Sequence, residues 1–148
     1  MVAEVLVVIG VGGMGEAIAR RQAPGRQVLL ADFSTDTLER VADTLRSEGH
    51  SVVCQKVDVS DHPSVSALAA AAAALGPVTQ VVHTAGLSPV QASAEAILAV
   101  DLVGVAHSLE EFGRIVATGG SGVVIASMAG TMAQGRLPAD LEKALALT

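Results

Sequence analysis

Three glycines near the amino terminus have the spacing of a phosphate-binding turn. They lie in the segment Gly10-Val11-Gly12-Gly13-Met14-Gly15, between an apolar run and a stretch of helix-forming residues. The first glycine of such a turn permits a tight bend, the second lets a pyrophosphate approach the backbone, and the third allows close packing of helix on strand. The start of the helix offers N–H groups and partial positive charge. A dinucleotide site is therefore predicted at Gly10, Gly12, Gly13, Met14 and Gly15.

An acidic residue follows this turn at the distance of a ribose-binding carboxylate. Asp32 ends the second apolar run, about 20 residues after the glycines. A carboxylate there accepts hydrogen bonds from both hydroxyls of an adenosine ribose and repels a 2′-phosphate. Neither the glycine turn nor the next two residues, Phe33 and Ser34, supply a lysine or arginine. NAD is therefore expected in preference to NADP, with Asp32 and Phe33 in the site; alternatively, Asp32 only caps the following turn.

The rest of the chain alternates between short apolar runs and helical patterns. Strands are predicted at 5–9, 27–31, 51–57, 78–83 and 123–126. A helix is predicted after each of the first four strands, and the last of these helices covers 94–117. Alternation of this kind implies right-handed βαβ crossovers and a parallel sheet. The predicted fold class is α/β, a doubly wound Rossmann-type sheet that ends after its fifth strand, with a loop and a short helix at about 131–148.

The composition limits the classes of protein that remain. The chain has 148 residues, 51% of them hydrophobic, so a single domain over residues 1–148 is expected. A net charge of −6 argues against nucleic acid as a partner. Cys54 is the only cysteine, which fits a reducing, cytoplasmic location. We find no signal peptide and no run of roughly 20 apolar residues that could span a membrane.

The order of the motifs along the chain resembles the short-chain dehydrogenase/reductase family. After the glycine turn and Asp32 come Asp58-Val59, His83-Thr84-Ala85-Gly86, Val100-Asp101-Leu102-Val103-Gly104 and Ile125-Ala126-Ser127-Met128-Ala129-Gly130. The resemblance covers nearly the whole chain. It implies that Asp58, beside Val59, contacts adenine, that Thr84, Ala85 and Gly86 line the cofactor, and that Ser127 orients a substrate carbonyl.

The chain also departs from the family pattern. It contains no tyrosine, so the Tyr-x-x-x-Lys pair is missing, and Lys143 is the only lysine after Ser127. Asp101 stands where the family usually has a catalytic Asn, and His83 and Thr84 stand where two Asn are usual. Since the family continues for about a hundred residues more, the chain is expected to be a fragment. Its fifth strand would then be a bare edge, and a homo-oligomer is expected.

Three functions remain open at this point. The first is an NAD-dependent dehydrogenase that exchanges hydride with a secondary alcohol or ketone, with this chain inactive by itself. The second is a non-catalytic NAD-binding or sensor protein, and the third is a methyltransferase-like fold with Asp32 on the ribose of an S-adenosyl cofactor. The motifs at His83 and Ser127 favour the dehydrogenase. His83 itself is expected to pack near the cofactor, and the other histidines lack metal-ligand spacing, so no metal is expected.

Overall fold

The computed structural model describes residues 3–132 and 135–145, and these form one parallel sheet flanked by helices. The strand order is β3-β2-β1-β4-β5, and every neighbouring pair is parallel. The strands are β1 Val5–Ile9, β2 Gln27–Asp32, β3 Ser51–Lys56, β4 Val78–His83 and β5 Val116–Val124. The predicted doubly wound Rossmann-type sheet of five strands is confirmed.

The helices cover both faces of this sheet. They are α1 Gly13–Gln22, α2 Thr35–Ser47, α3 His62–Leu75, α4 Ala94–Ile97, α5 Gly104–Gly113, α6 Ala129–Met132 and α7 Ala139–Leu145, with a π-helical segment Leu98–Val103 between α4 and α5. Helices α1 and α2 pack on one face, and α3 and α5 pack on the other. Within residues 3–132 and 135–145, no helix combines the length and apolar character needed to cross a membrane.

The central strand, β1, is buried on both faces of the sheet. All five residues of β1 are fully buried. Val7 belongs to the core beneath α3, with Leu68, whereas Val8 belongs to the core beneath α2, with Val41. A strand buried on both faces appears in the sequence as a continuous apolar run rather than an alternating one. Because β1 is the middle strand of the sheet, the glycine turn lies at the carboxyl end of the strands, in the centre of the sheet.

The helix predicted over 94–117 is shorter and interrupted. Helix α5 ends at Gly113, and Val116 already pairs with Val78 in the sheet. Ile115 continues the helical spacing of apolar residues, but Ile and Val also suit strands, and glycine favours the end of a helix. The periodicity therefore extended the predicted helix into the first residues of β5.

Strand β5 contains the glycines that were expected to lie between helix and strand. Val78 pairs with Val116, but Gln80 pairs with Ser121, so β5 has extra residues in this interval. A glycine at φ +84°, Gly119, accommodates this bulge. The predicted strand 123–126 was therefore too short at its start.

Smaller boundary differences occur at the two ends of the chain. Helix α1 begins at Gly13 rather than after Gly15, so the last glycines of the turn form the first helical turn. The segment after Ser127 contains the short helix α6. Helix α7 falls within the predicted loop and short helix at about 131–148, of which residues 133–134 and 146–148 lie outside the described part of the chain.

Candidate nucleotide-binding site

A cleft of about 460 Å³ opens at the carboxyl ends of β1, β2 and β4. This is the point where the strand order reverses direction, which is where doubly wound folds bind ligands. The lining residues come from the loops after β1, β2, β3 and β4 and from the π-helical segment: Gly10, Gly12, Asp32, Phe33, Val57, Asp58, Val59, Ser60, Thr84, Ala85, Gly86, Leu87 and Val100. Most of the predicted cofactor residues therefore share one cleft.

The glycine turn is shaped by close backbone contacts. Gly10 has φ +87°, and a Cβ atom there would lie 2.7 Å from the Cα of Ala85. A Cβ on Gly15 would overlap the carbonyl oxygen of Gly10. Around Gly12 and Gly13, in contrast, a Cβ would meet no atom within 4 Å. The outer glycines thus permit the packing, and the inner ones leave room for a ligand to reach the backbone.

The start of helix α1 faces this open space. Gly12 is its N-cap residue, and no side chain caps the helix by a hydrogen bond. The first N–H groups of a helix have no partner within it and attract anions. Met14, the remaining predicted residue of the turn, is 58% exposed and does not line the cleft.

The Asp32 carboxylate is held by two backbone groups. The N–H of Val11 donates to Oδ2 at 2.7 Å, and the N–H of Ser34 donates to Oδ1 at 2.9 Å. Asp32 therefore does cap the turn that follows it, and it also fixes the glycine turn of the neighbouring strand. Each carboxylate oxygen accepts more than one hydrogen bond, so both keep capacity for ribose hydroxyls.

Phe33 lies at the rim of the cleft, with 65% of its surface exposed. The Lys56 ammonium lies 5.3 Å from the centroid of its ring, within cation–π range. Lys56 is opposite Asp32 in the pairing of β2 with β3. The order of residues along the chain does not reveal this cation, because Lys56 lies in β3 and belongs neither to the glycine turn nor to the two residues after Asp32.

The loop after β3 forms another wall. The N–H and hydroxyl of Ser60 both donate to Oδ1 of Asp58, at 3.0 and 2.6 Å. Oδ2 of Asp58 has no hydrogen bond from the described residues. Val59 is 5% exposed and presents an apolar surface next to this carboxylate. Asp58 and Val59 together offer one hydrogen-bond acceptor and one apolar contact to the ring of a bound ligand.

The loop after β4 is tied to the glycine turn and to the π-helical segment. The hydroxyl of Thr84 donates to the carbonyl oxygen of Gly10 at 2.6 Å. On the other side, Oδ1 of Asp101 accepts a hydrogen bond from the N–H of Leu87 at 2.8 Å. Asp101, in the position of the usual Asn, thereby holds the loop that contains Gly86.

Two residues singled out in the sequence are not among those that line this cleft. Ser127 is exposed, and its Oγ accepts a hydrogen bond from the N–H of Ala129 at 3.1 Å at the start of α6. His83 is 2% exposed and lines a second cavity, of about 360 Å³, between α5 and β5. Burial lowers the pKa of His83, opposed by a backbone hydrogen bond and by Asp101.

Comparison with known proteins gives this arrangement a context. The family model described as short chain dehydrogenase matches residues 4–139. A short-chain dehydrogenase/reductase of Alternaria brassicicola, bsc3, is 48% identical over 130 residues, which are 87% of this chain and 47% of that protein. Galactitol 2-dehydrogenase (L-tagatose-forming) of Cereibacter sphaeroides is 32% identical over 137 residues, covering 84% of this chain and 53% of that protein.

A solved structure agrees with these relatives. A short-chain dehydrogenase/reductase from Burkholderia phymatum, in complex with NAD, superposes with a TM-score of 0.77 and 35% identity, covering 86% of this chain and 50% of that one. The chain spans about half the length of the curated relatives it matches. With its glycine turn, its parallel sheet and its matched residues 4–139, the chain belongs to the short-chain dehydrogenase/reductase family.

Proposed function

We propose that this chain is the cofactor-binding part of an NAD-dependent oxidoreductase that interconverts a secondary alcohol and a ketone. The observation that carries the proposal is the position of Asp32, which lines the cleft together with Gly10 and Gly12. A solved relative is in complex with NAD, and a curated relative is a galactitol dehydrogenase. These relatives support a nicotinamide dinucleotide cofactor and the alcohol class of the substrate, whereas the preference for NAD rests on Asp32.

The residues of the cleft fit the parts of the dinucleotide. The open backbone at Gly12 and Gly13 suits the pyrophosphate, because no Cβ blocks its approach. The Asp32 carboxylate suits the two ribose hydroxyls. Phe33, Asp58 and Val59 form the walls on the adenine side, whereas Thr84, Ala85 and Gly86 continue toward the nicotinamide side. When bound, the nicotinamide ring supplies the hydride chemistry.

The preference for NAD rests on charge. A 2′-phosphate on the ribose would place its negative charge beside Asp32, which already binds two backbone N–H groups and therefore cannot easily turn away. Lys56 is a cation on this rim, opposite Asp32 in the strand pairing, and its ammonium group lies over the ring of Phe33. We infer that the fixed Asp32 carboxylate repels a 2′-phosphate more strongly than the exposed, flexible Lys56 ammonium group attracts it.

We further propose that the 148-residue chain alone does not turn over substrate. It has no tyrosine to donate a proton to a carbonyl oxygen. Ser127, proposed to orient the carbonyl, has an exposed hydroxyl group outside the cleft lining. The same lack of tyrosine favours a second candidate function, in which the chain binds NAD as a non-catalytic or sensor protein.

Calorimetric titration tests the cofactor assignment. The chain is titrated with NAD, NADP and S-adenosylmethionine, and NAD is expected to bind most tightly. Asp32→Asn should weaken NAD binding about tenfold or more, because hydrogen bonds to a charged group contribute about 1.5–3 kcal/mol. NADP binding should weaken less, since the repulsion is also removed.

The matched control is Asp36→Asn, an exposed carboxylate in the first turn of α2. It should leave all three titrations unchanged. Binding of S-adenosylmethionine alone would overturn the dehydrogenase assignment in favour of a methyltransferase-like site. Reduction of NAD by the isolated chain with a secondary alcohol would overturn the proposed inactivity while leaving the cofactor assignment intact.

A further inference from the structure

Three potential metal ligands meet outside the nucleotide cleft, at the start of α3. The ligand atoms of His62, Glu110 and Glu111 all lie within 4.8 Å of one another. Nε2 of His62 is 3.0 Å from Oε1 of Glu111 and 3.8 Å from Oε2 of Glu110. His62 is 49 residues from Glu111 along the chain, so local ligand spacing could not indicate the group. The spacing of the histidines along the sequence accordingly predicts no metal.

The packing of α5 against the loop after β3 brings these residues together. Gly104 starts α5, and a Cβ there would lie 2.7 Å from Cγ2 of Val59, so only glycine permits this approach. Three positions later, Nδ1 of His107 lies 3.2 Å from the carbonyl oxygen of Val59. Residues 107, 110 and 111 lie on one helical face. That face is therefore fixed opposite His62, whose ring is 4.9 Å from that of His107.

An arginine orients both carboxylates without using all of their oxygens. Arg114 donates to Oε1 of Glu110 and, at 2.9 Å, to Oε1 of Glu111. Oε2 of Glu110 is left facing His62. Hydrogen-bonded partners of this kind commonly hold metal-binding carboxylates in position.

Glu111 is the buried member of this group. Its side chain is only 10% exposed, whereas that of Glu110 is 50% exposed. Two carboxylates beside a single guanidinium leave a formal negative charge at the group, which favours a divalent cation.

We propose that His62, Glu110 and Glu111 form a binding site for a divalent transition-metal ion such as Zn²⁺. One imidazole nitrogen and two carboxylate oxygens are ligands that Zn²⁺ accepts, with water completing the coordination. Because the ligands come from α3 and α5, the ion links the two helices that cover one face of the sheet. The site is separate from the nucleotide cleft, and it does not depend on the proposed oxidoreductase activity.

Titration with zinc chloride and cobalt chloride tests the site in the full chain. Calorimetry should give one Zn²⁺ per chain, and the melting temperature should rise with Zn²⁺ because the ion binds the folded state. Bound Co²⁺ should show the visible absorption of a low-coordinate site. His62→Gln and Glu110→Gln, both at half-exposed side chains that a folded chain tolerates, should each weaken Zn²⁺ binding about tenfold or more.

The controls are His50→Gln and Glu95→Gln, a histidine and a glutamate outside the group, and they should bind Zn²⁺ like the parent chain. Equal affinity in all five proteins, or no Zn²⁺ binding by the parent chain, would overturn the proposal. NAD titration of His62→Gln separates this inference from the proposed function. NAD affinity should be unchanged in that variant whether or not the metal site exists.

Discussion

The hydroxyl of Thr84 donates a hydrogen bond to the carbonyl oxygen of Gly10, across 2.6 Å, and so joins the loop after β4 to the glycine turn after β1. The backbone N–H groups of Thr84 and Ala85 also donate to the carbonyl oxygen of Ile9, at 2.7 and 3.0 Å. The two loops that form the middle of the cleft therefore behave as one hydrogen-bonded unit. The Thr84 hydroxyl thus adds a link to Gly10 beyond the backbone hydrogen bonds to Ile9.

Replacing this side chain should loosen both loops. Thr84→Val keeps the shape but removes the donor to Gly10, and it should lower the free energy of unfolding by about 1–2 kcal/mol, with weaker NAD binding. Urea denaturation and calorimetry measure the two effects. Thr84→Ser retains the hydroxyl and should restore most of the loss, whereas Thr118→Val, at an exposed site in β5, should be nearly neutral. A Thr84→Val chain as stable as the parent contradicts this role.

Alanine substitutions at two glycines with positive φ distinguish the cost of backbone strain from the cost of steric overlap. Gly25 has φ +76° and open space around a Cβ, so Gly25→Ala should cost only the conformational penalty, about 1–2 kcal/mol. Gly10→Ala adds overlap with Ala85 to a similar penalty and should cost about 3 kcal/mol or more. Denaturant unfolding of both variants measures the difference. Equal costs would mean that the loops at Gly10 and Ala85 move apart freely.

The buried imidazole of His83 should make stability depend on pH. Burial lowers its pKa below the ordinary value of 6.5, so the unfolded chain binds more protons than the folded one as the pH falls. The contribution is therefore present above about pH 6.5 and lost at lower pH.

Urea unfolding from about pH 7 to about pH 5.5 measures this slope. His83→Gln should flatten it, and His50→Gln should not. Parallel curves for parent and His83→Gln would show that His83 does not titrate differently in the two states.

The second cavity and the edge strand should favour association between copies of the chain. Strand β5 is at the end of the sheet order, and Val123 and Leu109, which line the cavity, are 51% and 61% exposed. Bare strand edges and apolar surfaces promote such contacts. Sedimentation should show a dimer or larger assembly that Val123→Lys combined with Leu109→Lys weakens. Val90→Lys, at a 96% exposed loop site, is the control, and a monomeric parent chain contradicts this prediction.

The sheet could be predicted because its signals are local. A continuous apolar run such as β1 and a glycine such as Gly10 at its end are visible in the sequence. The end of α5 could not be predicted in the same way, since Ile115 and Val116 fit a helical period as well as a strand. The pairing of Val116 with Val78 in β4 decided between the two.

In the candidate site, the identity of the residues is easier to predict from the sequence than the contacts between them. Asp32 was predicted from its position at the end of a strand and Asp58 from the resemblance of the motif order to the family, and both line the cleft. The approach of Lys56 to Phe33 and of Asp101 to Leu87 depends on neighbouring elements, so the sequence order alone does not reveal it. The position of Ser127 apart from the cleft lining depends on the path of the chain after β5, where no repeating pattern guides a prediction.

The hydrogen bond from Val11 to Asp32 couples cofactor selectivity to the integrity of the fold. A substitution that replaces the carboxylate by a basic or apolar side chain, to admit a 2′-phosphate, also deprives the glycine turn of an acceptor. A change of cofactor made in this way requires a second substitution that returns an acceptor to Val11, and the two substitutions should be epistatic, each unfavourable without the other. Selectivity in this chain should consequently evolve in pairs of substitutions rather than by single changes.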